Sequence, residues 1–247
     1  MNWRPLGDEL DRWQDAGSTA RLWLRDDDAA VPTSRLDDFA ELTRREGIPL
    51  LLAVVPARTG SALARHLEAS PHIRPAVHGW SHANHAPLGA KKQELGVHRA
   101  RSIVLDELGH AFRRMRELYG ERLAPILVPP WNRIDAVLVS DLPALGYRAL
   151  STYGDTWFDC PAIRIVNAHV DLIDFAGTRR CHDHELLVSK LVAALTKSRM
   201  RGAYPVGILS HHDLGDAAAL AFLEGLFGAT RRHPACLWAS PSDLIRA

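Results

Sequence analysis

Short apolar runs of strand length alternate with longer stretches of helical period along nearly the whole chain. That alternation restricts the fold to repeated strand–helix units around a mostly parallel sheet. Strands are expected at 20–24, 49–55, 74–78, 125–128, 147–151, 162–166, 206–210 and 236–239. Helices are expected at 34–46, 60–69, 97–119, 135–145, 184–200 and 216–231. In the clearest unit, Leu36, Phe39, Ala40 and Leu42 recur at helical spacing, and Gly47 followed by Ile48-Pro49 stops the helix. There is no Ser/Gly linker, internal repeat or break in composition, so one domain over residues 1–247, barrel-like or doubly wound, is expected.

Charge and hydropathy narrow the range of partners. Thirty Lys and Arg against 29 Asp and Glu leave a net charge of +1, which argues against a nucleic-acid or anionic-membrane partner. The longest apolar run, 48–56, falls far short of the roughly 20 residues that cross a bilayer. The opening MNWRPLGDELDRW is acidic and amphipathic rather than built like a signal peptide, and a cytoplasmic location is expected. Cys160, Cys181 and Cys236 are odd in number and widely spaced, which suits reduced packing thiols.

Folds of this kind carry their chemistry at the C-terminal ends of strands, and polar residues gather there. Asp26-Asp27-Asp28 follows the first apolar run; three adjacent carboxylates repel one another unless a cation, a proton or arginines compensate. A solvated acidic loop or a helix cap is the plainer reading of that triplet alone. VHGWSHANHAP places His78, His82 and His85 within eight residues, a spacing that lets imidazoles converge on one ion if the chain turns between them. His211-His212-Asp213 sets an imidazole beside a carboxylate after another buried run, which suits proton transfer or, more plainly, a polar turn.

Taken in chain order, these segments resemble the polysaccharide deacetylase family, carbohydrate esterase family four. LRDDDAA stands where the family has T-F-D-D-G-P, and His78-Gly79-Trp80-Ser81-His82 is similar to its His-Ser/Thr-x-x-His, with Gly79 in the hydroxyl position. PLLLAVVP resembles the family's second strand. Val128-Pro129-Pro130-Trp131-Asn132 is similar to R-x-P-Y/W-G, with Val128 in place of the arginine that orients the base, and Ile208-Leu209-Ser210-His211 is similar to L-x-x-H. Asp155-Thr156-Trp157 echoes the family's Asp-Trp motif only loosely. The resemblance runs over residues 20–215 and implies an α/β fold, a distorted (β/α) barrel of about seven to eight mostly parallel strands.

The resemblance also implies a chemistry, a metal-dependent hydrolase that removes an acyl group, acetyl foremost, from an N-acylated sugar or related amide. One divalent ion, zinc before cobalt or nickel, would be held by Asp27, His78 and His82. Asp26 would act as base and His211 as the acid that protonates the leaving amine, while Pro130 and Trp131 would wall the substrate groove. Setting Arg25 opposite the family's Thr shifts the register, making Asp27 the base and Asp28 the ligand. Asp28 is kept as an alternative site residue on that account, as are His85, the third histidine of its cluster, and His212, which stands where the family usually has Asp. Two other functions fit the same residues, namely hydrolysis of another C–N bond in a small metabolite and an inactive carbohydrate-binding relative. The sequence leaves the oligomeric state open.

Overall fold

The structure is a computed structural model that describes residues 1–246. In chain order its first elements are α1 (Arg4–Asp15), β1 (Ala20–Ala29), α2 (Ser34–Glu46), β2 (Leu50–Val54), α3 (Ser61–His66) and β3 (Ile73–Val77). There follow α4 (Arg101–Tyr119), β4 (Ile126–Leu127), α5 (Ala136–Val139), β5 (Ala149–Leu150) and β6 (Arg164–Ile165). The last are β7 (Ala168–Asp171), α6 (His184–Met200), β8 (Val206–Ser210), α7 (Ala217–Thr230), β9 (Cys236–Trp238) and α8 (Pro241–Arg246). The strands hydrogen-bond in the order β6-β5-β4-β3-β2-β1-β8-β7, with β9 added to β1. The fold class is the expected one, α/β strands paired in parallel in the manner of a distorted (β/α) barrel.

Local chemistry explains most element ends. The Thr33 side chain accepts from the Leu36 N–H at 3.1 Å and opens α2, and Gly47 at φ 68° closes it in the left-handed conformation that glycine adopts without strain. Asp183 and Asp216 cap α6 and α7 in the same way, accepting from Leu186 N and Ala219 N at 3.1 Å. The strands expected at 125–128, 147–151 and 162–166 shrink to two residues each; around β4, Pro125, Pro129 and Pro130 have no N–H to give a ladder. The helix expected at 135–145 contracts to α5, with Pro143 in a following 3₁₀ turn. The sequence pattern did not identify β7, α1 or α8.

One difference matters for the site. The first strand runs on to Ala29, so the three aspartates lie within β1 and not in a loop after it. Parallel pairing with β8 carries the ladder through Asp26 opposite Ser210, and the Val55 N–H donates to the Ala29 carbonyl at 2.8 Å at the strand's far end.

By internal contacts the chain forms two compact units, Met1–Asp26, Thr33–Leu50 and Ala168–Arg246 in one, Asp27–Pro32 and Leu51–Asn167 in the other. In the first, α1 packs on α6, and Leu6, Leu10, Trp13, Leu187, Leu191 and Leu195 are buried. The second has its core in Leu51, Leu52 and Val54 of β2, Ala76 and Val77 of β3, and Val104, Leu108 and Met115 of α4. Burial pushes the Cys236 thiol up to about 12, as suits an unreactive packing cysteine. No helix among the described residues is long and apolar enough to cross a membrane.

A buried carboxylate joins α1 to α6. Glu9 is fully buried and accepts from Arg199 Nε at 2.9 Å and from Arg12 Nη1 at 3.1 Å. Burial alone would raise its pKa, but the hydrogen bonds from Arg199, Arg12 and Thr196 outweigh it and hold the carboxyl below its usual value. Glu9→Ala is expected to destabilise the fold by about 1–3 kcal/mol in urea melts. Because the folded pKa is depressed, this stabilisation is present above the ordinary carboxylate value of about 4.3 and fades as pH falls through the folded value. The gap between wild type and variant should therefore close in acid; a gap that widened there would contradict the assignment.

Candidate metal centre

The site begins with sheet register. Val77, the last residue of β3, pairs with Leu127 of β4, and the Val128 N–H donates to the Val77 carbonyl at 2.8 Å. His78 follows at once, its own N–H bound to Val54 O at 2.9 Å, so its ring leaves the sheet at the C-terminal end of the strand. Its Nδ1 lies 2.9 Å from the Val128 carbonyl oxygen. A carbonyl only accepts, so Nδ1 carries the proton, and in neutral His78 the lone pair is left on Nε2.

That Nε2 faces Asp28 Oδ1 at 3.0 Å, and His82 Nε2 faces the same oxygen at 3.1 Å. The ligand atoms of the three side chains all lie within 4.8 Å of one another. The donor set is one hard oxygen and two borderline nitrogens, which suits zinc and its neighbours. Atoms bound about 2.0–2.2 Å from a shared ion at angles of about 90–110° stand roughly 3.0–3.5 Å apart, so the two oxygen–nitrogen separations match. Without an ion the cluster needs a proton on His78 Nε2 instead, which leaves a charged imidazolium at a fully buried position. The residues present thus fit a divalent cation.

The charges lean the same way. Burial would raise the Asp28 carboxyl, but hydrogen bonds from His78 and His82 and their charge hold it far below the usual carboxylate range. Burial pulls His78 down, yet the bond to Asp28 and the charges of Asp27 and Asp28 outweigh that and raise its pKa. The nitrogen therefore sits in a field that favours any positive charge, proton or metal.

His82 comes from the turn after β3. Gly79 at φ 62° and His82 at φ 60° bend the chain back, and the Trp131 ring meets the His82 ring edge-on with centroids 4.4 Å apart. A Cβ on residue 79 would lie 2.7 Å from Pro130 Cδ and 2.0 Å from Glu94 Oε2, so only glycine fits. Glu94, buried completely, accepts from the Ser81 N–H at 2.8 Å, the Ser81 hydroxyl at 3.0 Å and the Trp80 N–H at 3.1 Å. Nothing around Glu94 in the sequence marks it; the only signal was the glycine standing where the motif has Ser or Thr.

The structure brings His78 and His82 together as expected, but it joins them to Asp28 and not to Asp27, the preferred ligand. Asp28 has φ 75°, which breaks the strand's strict alternation and turns its carboxylate to the imidazoles. Asp27 is nearly fully buried and acts on His78 through its charge. Asp26, expected as base, accepts from the Ser210 hydroxyl at 2.7 Å and is hydrogen-bonded to His212 Nδ1. His85 is absent from the convergent set among the described residues. His211 follows β8 directly, its ring edge against Phe175, and with Ser210, His212, Phe39 and Leu220 it lines a pocket of about 310 Å³. Asn167 braces the turn after β5, its Oδ1 accepting from the Thr152 N–H at 2.9 Å and its Nδ2 donating to Thr156 O at 2.6 Å.

No protein-family model and no curated protein matches the sequence. Solved structures do resemble it. A Mycobacterium smegmatis structure assigned as a polysaccharide deacetylase aligns with TM-score 0.67 and 15% identity over 93% of this chain and 90% of its own. A family 4 carbohydrate esterase from Streptomyces lividans, solved with acetate, aligns with TM-score 0.57 and 13% identity over 90% and 94% of the two chains. A family 4 pseudoenzyme from Bacillus anthracis gives 0.61 and 12%, covering 92% of this chain and 66% of that one. At these identities the likeness speaks for architecture: the chain has the fold of the polysaccharide deacetylases.

Proposed function

We propose that the protein is a metal-dependent hydrolase that removes an acyl group, acetyl foremost, from the nitrogen of a sugar or related small amide. The observation that carries this reading is the convergence of Asp28, His78 and His82 at strand ends of a polysaccharide-deacetylase fold. The structures similar in fold include a carbohydrate esterase with acetate, which supports an acetylated carbohydrate as the substrate class.

Asp28, His78 and His82 would hold one divalent ion, zinc before cobalt or nickel, with positions left open as in catalytic sites. Such an ion, when bound, polarises an acyl carbonyl and acidifies water. The chain's own residues supply the rest. With Asp28 as ligand, the matching register makes Asp27 the base that takes the proton of the attacking water; Asp26 is already engaged by Ser210 and His212. The Val128 carbonyl fixes the His78 tautomer, the work of an outer partner at a metal site. His211 would deliver a proton to the departing amine, without which the C–N bond would release a poor leaving group. Trp131 and Pro130, beside the His82 turn, would bound the sugar ring.

Calorimetric titration of metal-stripped protein with zinc, cobalt or nickel is expected to find one ion per chain. Asp28→Asn should weaken binding by more than about 100-fold and Asp27→Asn by less than about tenfold. Acetate release from N-acetylated chitooligosaccharides should fall about 10²–10⁴-fold in kcat for Asp27→Asn and for His211→Ala. Acetate release undiminished by Asp28→Asn or by chelation would refute the proposal, and glycan binding with no acetate released would point to a non-catalytic relative.

A further inference from the structure

We propose that Glu94 is a positioning residue for the metal ligand His82, acting through the 79–83 turn and never touching the ion. The inference rests on the metal-site reading above and adds a residue that the motif does not contain.

One carboxylate collects donors from three residues of that turn, on both sides of His82. Trp80 N–H reaches Glu94 Oε2 at 3.1 Å, while Ser81 N–H at 2.8 Å, Ser81 Oγ–H at 3.0 Å and Ala83 N–H at 3.4 Å reach Oε1. His82 lies inside this span with its backbone at φ 60°, a conformation that a non-glycine residue keeps only when its surroundings fix it. Glu94 is completely buried, and no cationic side chain pairs with its carboxylate among the described residues. Its charge is met by peptide N–H groups and one hydroxyl, an arrangement that makes sense only if the turn keeps this shape.

Gly79 is the other half of the device. Its Cβ position would collide with Glu94 Oε2 at 2.0 Å, so the carboxylate occupies the room that the motif's Ser or Thr side chain would need. The segment that carries Glu94 is itself anchored. Asn84 Oδ1 accepts from Gln93 N–H at 3.0 Å, His85 N–H donates to Gln93 O at 3.0 Å, and Leu95 bridges to Ile134. On the far side of the turn, Ala57 N–H donates to Trp80 O at 2.9 Å. The His82 side chain projects from this fixed turn towards Asp28.

A carboxylate is needed because all its partners are donors. Glutamine has one accepting oxygen, and its amide N–H₂ would face the Trp80 or Ser81 N–H. Glu94→Gln therefore keeps the shape and spoils the hydrogen bonding. Zinc competition against a chromophoric chelator is expected to show affinity about 10–100-fold weaker than wild type, and the visible spectrum of the cobalt-loaded variant should shift as the His82 nitrogen leaves its place. The apo melting temperature checks that the variant is folded. A wild type that binds no metal sinks the metal site itself. A wild type that binds, with Glu94→Gln within threefold of it and an unchanged cobalt spectrum, overturns this inference alone. Should Glu94→Gln fail to fold, Ser81→Ala removes one donor to the same carboxylate; a several-fold loss of zinc affinity supports the proposal, and unchanged affinity overturns it.

Discussion

A carboxylate oxygen held between two imidazole nitrogens, 3.0 and 3.1 Å away, is the constraint on which the rest of this site depends. Because the Val128 carbonyl claims the proton on His78 Nδ1, the nitrogen that faces Asp28 presents a lone pair to a negatively charged oxygen. Something positive must sit in that gap. A proton can fill it only by charging the buried His78 ring, whereas one divalent ion satisfies all three atoms together.

The backbone is bent to make the gap. Asp28 and His82, two of the three convergent residues, have positive φ, as do Trp131, which packs on His82, and Asn132 after it. For residues with a Cβ this conformation costs roughly 1–2 kcal/mol each. Four such residues in and beside one centre mean that regular structure gives way there to the placement of side chains, while the Glu94 carboxylate holds the turn that carries His82.

The fold was largely legible in the sequence because strand–helix alternation and helix punctuation are local signals. α2 reads directly from Thr33, its apolar spacing and Gly47, whereas the two-residue strands around β4 and β5 were overestimated because prolines and turns cut their ladders short. The site was legible in part. His78 and His82 stand in a recognisable spacing, but which aspartate joins them hangs on one backbone dihedral at Asp28, and no pattern of residue types encodes that. Glu94 lies twelve residues beyond His82 in a segment without periodicity, and its role exists only once the turn has folded around it.

The central claim concerns where one ion sits. The most direct measurement is a crystal soaked in zinc, with anomalous diffraction collected on both sides of the zinc absorption edge. The account predicts a single strong peak about 2 Å from Asp28 Oδ1, His78 Nε2 and His82 Nε2. A peak coordinated by Asp26 or Asp27 in place of Asp28, or no peak between the two imidazoles at saturating zinc, would contradict it.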